Sequence, residues 1–248
     1  MPRFRAIRAI FRREFKVYFN SPVAYVFLVA FLALTGFLTF AVTMFYERRQ
    51  ADLSPFFLWH PWVYLLLVPA ATMGSWAEER RTGTIELLLT LPVTLAEVLV
   101  AKFLAAWAFI AIALALTLPI VFTTLWLGSP DIGAIVAGYI GSLLLAGACV
   151  AIGVFASALS RSQVVAFVAA LAICFALMII GFDPFINAVS NWGVPAGIVD
   201  ALASCSLIQH FDSMRRGVID LKDVAYYVGV IVFMLAAAHV VTDSRKAS

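Results

Sequence analysis

From Pro22 to Tyr46 the chain runs 25 residues without a charged side chain. No other feature restricts the fold as strongly. A helix of about 20 apolar residues crosses the ~30 Å hydrocarbon core of a bilayer. Lipid also tolerates only backbone whose hydrogen bonds are satisfied internally. The pattern returns over residues 57–77, 102–127, 132–158, 164–182 and 224–242. Only 12% of the 248 residues are charged, about half the share of an ordinary soluble domain. The expectation is an all-α integral membrane protein with six transmembrane helices in one domain, residues 1–248.

Local signals mark the ends of these runs. Asn20-Ser21-Pro22 caps the first, with Pro in the opening turn. Trp59, Trp62 and Tyr64 stand near one end of the second and Trp76 at the other, as an aromatic belt would place them. Pro119 predicts a bend in the third, and "GSPD" and "SRSQ" are short exit loops. Residues 183–223 form a long insertion before the last run. Its segment 184–208 is too apolar for a solvated linker, and Gly193 with Pro195 predicts a break into two short helices. These are expected to be re-entrant, capping the outer ends of the spans.

Residues 1–20 are different in character. At helical spacing Phe4, Ile7, Phe11, Phe15 and Tyr18 share one face, and Arg5, Arg8, Arg12, Arg13 and Lys16 gather on the other. This predicts an interfacial elbow helix lying on an anionic leaflet. The apolar run after it is longer than that of a signal peptide, so cleavage is not expected. Six spans put both termini on one side of the membrane. That side would carry twelve Lys and Arg, against five on the other. Positive charge marks the cytoplasm, so both termini are expected inside and 183–223 outside. The location is a plasma (inner) membrane crossed several times.

Most chemistry is excluded by what the sequence lacks. Cys149, Cys174 and Cys205 form no CxxC pair, so neither a disulfide framework nor a zinc site is expected, and all three read as small buried hydrophobes. Cys174 and Met178 share a helical face as soft Cu(I) ligands could, but core packing explains them better and no metal is expected. There is no H-E-x-x-H or G-x-S-x-G, and the acids fall in loops or at span ends. A membrane enzyme and an ion-coupled carrier are both disfavoured, as is nucleic-acid binding at a net charge of +3. Gly138, Ser142 and Ala146 form a small-residue ridge on the fourth run, for packing within one chain or between two.

The remaining segment is Ser75–Lys102, "SWAEERRTGTIELLLTLPVTLAEVLVAK". Glu78, Glu79, Arg80, Arg81 and Glu86 cannot enter lipid. Thr84 is a candidate N-cap, with Glu86 in the first turn. Pro92 disfavours helical geometry at Leu91, leaving a helix over residues 85–91, about 10 Å long. Thr94 and Glu97 form a T-x-x-E capping box for the next helix. A short rigid helix fixed between two long ones is suited to receiving or transmitting force.

"EERRTGTIELLLTLPVT" resembles the coupling helix of ABC-2-type exporter permeases, whose pattern is roughly E-x-x-x-G-T-x-E-x-L-x-x-x-P. Glu79, Gly83, Thr84, Glu86, Leu88 and Pro92 match it, and the likeness extends to the elbow helix, the six spans and the outer insertion. Within that family the chain is similar to the permeases associated with gliding motility and to those serving nitrous oxide reductase maturation, and "HFDSMRRGVIDLKDVAYY", residues 210–227, is the segment that resembles the gliding-motility branch. The resemblance implies a transport subunit without ATPase activity of its own. Two separate ATPase subunits would bind ATP and Mg, and a second copy or a homologous permease would complete a dimer. An auxiliary subunit with an external domain is also implied. Residues 78–100 would be the coupling region, with Glu78, Glu79, Arg80, Arg81, Gly83, Thr84, Ile85, Glu86, Leu88 and Pro92 meeting the ATPase. None of the four lysines follows a glycine, so no P-loop is present. The reading is a permease subunit of an exporter or mechanotransmitter. The alternatives are an ATP-independent membrane anchor or assembly factor and, below that, an ion-coupled carrier.

Overall fold

The computed structural model describes residues 3–47, 51–83 and 93–244. The helix expected over 85–91, with Thr84, Ile85, Glu86, Leu88 and Pro92, lies outside the described residues. Among those described, all regular structure is helical. α1 covers Arg3–Asn20 and α2 Pro22–Phe37, continued by a π-helical turn over Leu38–Val42. α3 (Ser54–Leu58), α4 (His60–Thr72) and α5 (Gly74–Thr82) follow. α6 (Leu95–Ala115) and α7 (Pro119–Leu127) are separated by a turn over residues 116–118, just before Pro119, and α8 is Ile132–Leu159. α9 (Gln163–Ile179) leads to α10 (Asp183–Asn191), α11 (Ala196–Ala203), α12 (Leu207–Arg215) and α13 (Leu221–Ser244).

Among the described residues four stretches are long and apolar enough to cross a membrane: Pro22–Val42, Leu95–Leu127, Ile132–Leu159 and Leu221–Ser244. α9 and α10, bent by 67°, make a fifth if the pair is one span. The run expected as the second span is divided among α3, α4 and α5. Pro69 lies inside α4 and has no N–H to donate to the preceding turn, and the helix ends soon afterwards at Thr72. The stretch expected to break into two short helices, 184–208, carries α10 and α11, and α12 follows from Leu207. Gly193 supplies the expected break with φ of 78°, a backbone region open to Gly at no steric cost.

α8 is the axis of the bundle, with α4, α5, α6, α9, α12 and α13 packed around it. Its small residues make that possible, because a missing side chain lets a neighbour approach the backbone. A Cβ on Gly138 would overlap the Phe57 ring, one on Gly141 the Met214 side chain, and one on Gly153 the Thr72 side chain. Ser142 is fully buried and its hydroxyl lies 2.7 Å from His60 Nδ1. Ala146 is also fully buried. The Gly138–Ser142–Ala146 ridge thus faces helices of its own chain. Cys149 and Cys174 are buried as expected, but Cys205 is exposed at the turn between α11 and α12, because the insertion is less enclosed than its apolar composition suggested.

Candidate coupling site

α1 lies against α6 through aromatic contacts. The Tyr18 ring stacks on Phe109 at 5.0 Å, and Phe19 and Phe27 close on the same ring at 5.8 and 5.1 Å. The Tyr18 hydroxyl donates to the Ala71 carbonyl at 3.2 Å, tying α1 to the end of α4. Burial, and then the Glu14 carboxylate nearby, push this phenol above its ordinary range, so it stays a neutral donor. The opposite face carries Arg5, Arg8, Arg12, Arg13 and Lys16, all exposed.

One turn before Tyr18, Glu14 faces Lys102 of α6. Lys102 is 4% exposed, and its ammonium spends all three donors. Nζ reaches Glu79 Oε1 of α5 at 2.8 Å, the Ser75 carbonyl at 2.8 Å and Glu14 Oε2 at 3.3 Å. The Trp76 ring lies beneath it, with its centroid 5.3 Å away. Arg13 closes the cluster from outside, 2.6 Å from Glu14 and 3.6 Å from Glu79. Two carboxylates and two cations therefore balance, which is what a nearly buried charge requires. Sequence reasoning placed Lys102 at the start of the third span. α6 begins seven residues earlier, at Leu95, so the lysine sits inside the helix and is enclosed.

The helices that flank residues 84–92 have well-defined ends. On the entry side Gly83 terminates α5 in the left-handed region with φ of 73°. On the exit side Thr94 and Glu97 make the expected capping box. The Glu97 N–H donates to Thr94 Oγ1 at 3.3 Å, and the Thr94 N–H to Glu97 Oε2 at 2.9 Å. Ser157 of α8 holds the α4–α5 break. Its hydroxyl accepts from the Trp76 and Ala77 amides at 2.9 and 3.1 Å and donates to the Met73 carbonyl at 2.8 Å. Glu78 pairs with Arg81 at 2.6 Å and accepts from the Gln163 side chain. Of the residues expected to meet a partner, Glu78, Glu79, Arg80, Arg81 and Gly83 are thus described, and Glu79 turns inward. Glu14, Ser157 and Gln163 were not anticipated. The one available signal was Glu14 itself, the sole acid in the otherwise basic α1.

A second polar cluster lies at the far end of the bundle. His210 Nδ1 is 2.6 Å from Asp223 Oδ1, and Nε2 is 2.9 Å from the Ser204 carbonyl. Tyr226 stacks on the imidazole at 4.0 Å and donates to the Cys205 carbonyl at 2.5 Å. Thirteen residues separate the pair, so helical spacing could not reveal it. Among the described residues no group of three or more His, Cys, Asp or Glu is arranged to hold a metal.

No curated protein matches the chain. A family model described as "ABC-2 family transporter protein" matches residues 8–242. The match runs from α1, through the charged cluster and the segment it brackets, to the end of α13. With four helical stretches of membrane length among the described residues, this multi-pass membrane chain belongs to the ABC-2 family of transporter proteins.

Proposed function

We propose that the chain is one of two permease subunits in an ATP-driven exporter or mechanotransmitter of the gliding-motility or nitrous-oxide-reductase-maturation type. Two separate ATPase subunits bind ATP and Mg and push on residues 85–91. The spans carry the motion to residues 183–223 on the outer side, where an auxiliary subunit can dock. In this reading α4 with its flanking helices counts as one span and α9 as another, with α10 in the outer insertion. That gives six crossings and two cytoplasmic termini.

The observation that carries the reading is the tie between the two helices that flank segment 84–92. A solvated loop needs no buried lysine at its root. Glycine stops and capping boxes end many ordinary helices; what favours force delivery here is that Lys102 of α6 ties the two flanking helices together through Glu79 and the Ser75 carbonyl of α5, which stiffens the base. The test is purification of the tagged full chain from its native membrane in mild detergent. The expected result is co-elution of a P-loop ATPase that hydrolyses ATP, at two ATPases per two permeases by native mass spectrometry. A ratio of one permease per two ATPases would contradict the dimer. Recovery of a stable chain with no ATPase would favour the anchor.

Orientation has its own prediction. Asn191 ends α10 and is exposed. Asn191→Cys, in a background lacking the three native cysteines, should react with an impermeant maleimide in intact cells. Labelling only after lysis would reverse the assigned sidedness.

A further inference from the structure

We propose that α1 recognises anionic phospholipid headgroups and that their binding sets the stiffness of the root of segment 84–92 through Glu14 and Lys102. The inference rests on the coupling reading above and adds its regulation.

Position comes first. α1 ends at Asn20 and the membrane-length helix α2 starts at Pro22. One intervening residue puts the end of α1 at the edge of the bilayer, and its packing on α6 keeps its basic face turned away from the bundle. Charge comes second. Arg5, Arg8, Arg12 and Lys16 follow one another at spacings of three, four and four, which places them in one stripe along the helix. The stripe is roughly 16 Å long at the rise of an α-helix. All four are exposed, and among the described residues none of them makes an ion pair. Guanidinium groups bind phosphate oxygens with two parallel hydrogen bonds, and basic residues beside a membrane concentrate on anionic leaflets. Zwitterionic lipid offers no net charge to this stripe, so the chemistry selects an anionic headgroup.

Transmission comes third. The side of α1 facing the protein is attached by Tyr18 to Ala71 and by Glu14 to Lys102. Lys102 in turn holds Glu79 and the Ser75 carbonyl of α5. Arg13 stands at the border: half exposed towards the basic face, yet within ion-pair distance of both carboxylates. A headgroup that fixes the stripe fixes the height and rotation of α1, and so the position of Glu14 against Lys102. α5 is then ordered from the lipid side. Without anionic lipid α1 rocks, and α5 loses one of the groups that hold its lysine anchor.

The experiment uses the full chain alone in nanodiscs of phosphatidylcholine, with or without one third phosphatidylglycerol. Native mass spectrometry reads lipid retention, and hydrogen exchange reads the amides of residues 74–83. The expected result is preferential retention of phosphatidylglycerol and at least several-fold slower exchange at 74–83 in its presence. Both effects should shrink at high salt, which screens exposed charge. Arg5→Gln with Arg8→Gln and Arg12→Gln should abolish retention and the slowing together, and Arg8→Gln with Arg12→Gln is the milder variant should the triple fail to insert. Glu14→Gln should keep retention and lose the slowing, because it leaves the stripe intact and removes the link. Exchange of α8 should be unchanged throughout, which separates this from general unfolding. Lipid-independent exchange at 74–83, retention unaffected by the neutralised stripe, or a full response in Glu14→Gln would each overturn the proposal. So would an equal response to soluble inorganic phosphate. No ATPase is present in these assays, so failure of the coupling reading and failure of this one are read separately.

Discussion

Lys102→Met should lower the unfolding temperature of the purified chain by roughly 6–12 °C. Methionine keeps the length and apolar stem of the side chain and removes only the ammonium. What remains is Glu14 and Glu79 facing the space the ammonium occupied, both less than a fifth exposed, with half-exposed Arg13 as the remaining nearby cation. Removing one partner of a buried ion pair costs on the order of 3–5 kcal/mol, because the other charge is stranded. Partial hydration of the two carboxylates argues for the lower end. For a chain of this size about 1 kcal/mol moves the transition by roughly 2–4 °C. The Ser75 carbonyl also loses its donor, so α5 should loosen before the rest of the bundle. Lys102→Arg should recover only part of the loss, since a planar fork does not fit three acceptors gathered around a compact ammonium. Adding Glu14→Gln and Glu79→Gln to Lys102→Met should recover most of it, because the charges are then gone from both sides. That non-additivity identifies the network. Thermal unfolding of the four proteins in one detergent is the measurement. A Lys102→Met protein melting within a degree of wild type would mean the cluster carries no stability.

How much of this was visible beforehand follows from the distance over which each signal acts. Helix starts are local, and those were legible. Ser21 accepts from the Val23 amide and Asp131 from the Gly133 and Ala134 amides. The Thr94–Glu97 box stands where the T-x-x-E spelling put it. Gly83 and Gly193 both have positive φ, and Gly193 breaks the insertion where the sequence placed a break. The interruption just before Pro119 also follows from one residue. The charged cluster is a different matter: 88 residues separate Glu14 from Lys102, and 23 separate Glu79 from it. Sequence periodicity says which face of a helix a residue occupies and nothing about which other face it meets. Lys102 therefore read as the boundary of a span, whereas its helix begins a further two turns away. The breaks around α4 illustrate the same limit. Pro69 is visible, yet the ending at Thr72 and Met73 is held by Ser157, more than eighty residues on. His210 and Asp223 meet only because α12 folds back onto the head of α13.

Gly83→Val should leave the chain inserted and folded while cutting ATP-driven coupling about tenfold or more. The reasoning separates space from backbone. Among the described residues a Cβ at residue 83 would meet nothing within 4 Å. The cost lies in φ, which is 73° here. That left-handed geometry costs an ordinary L-residue roughly 1–2 kcal/mol, and a β-branched one is the least tolerant. Valine relieves the strain by leaving that conformation, which re-aims everything that follows residue 83. The body of α5 is held by Lys102 and Ser157 and should stay in place. The error therefore falls on segment 84–92, where the ATPase is proposed to push. Gly83→Asn is the discriminating control, since asparagine visits the left-handed region far more readily, and it should retain most of the coupling. Glu86→Arg, with the opposite charge in the segment itself, should release or uncouple the ATPase by a different route. Arg245→Glu, a charge reversal in the tail, should do neither. The readout is ATPase co-purification together with substrate-stimulated hydrolysis for each variant. If Gly83→Val and Glu86→Arg both matched wild type in binding and hydrolysis, segment 84–92 would not be the coupling element. If Gly83→Val and Gly83→Asn lost coupling equally, the backbone argument would be wrong and the glycine would matter for another reason.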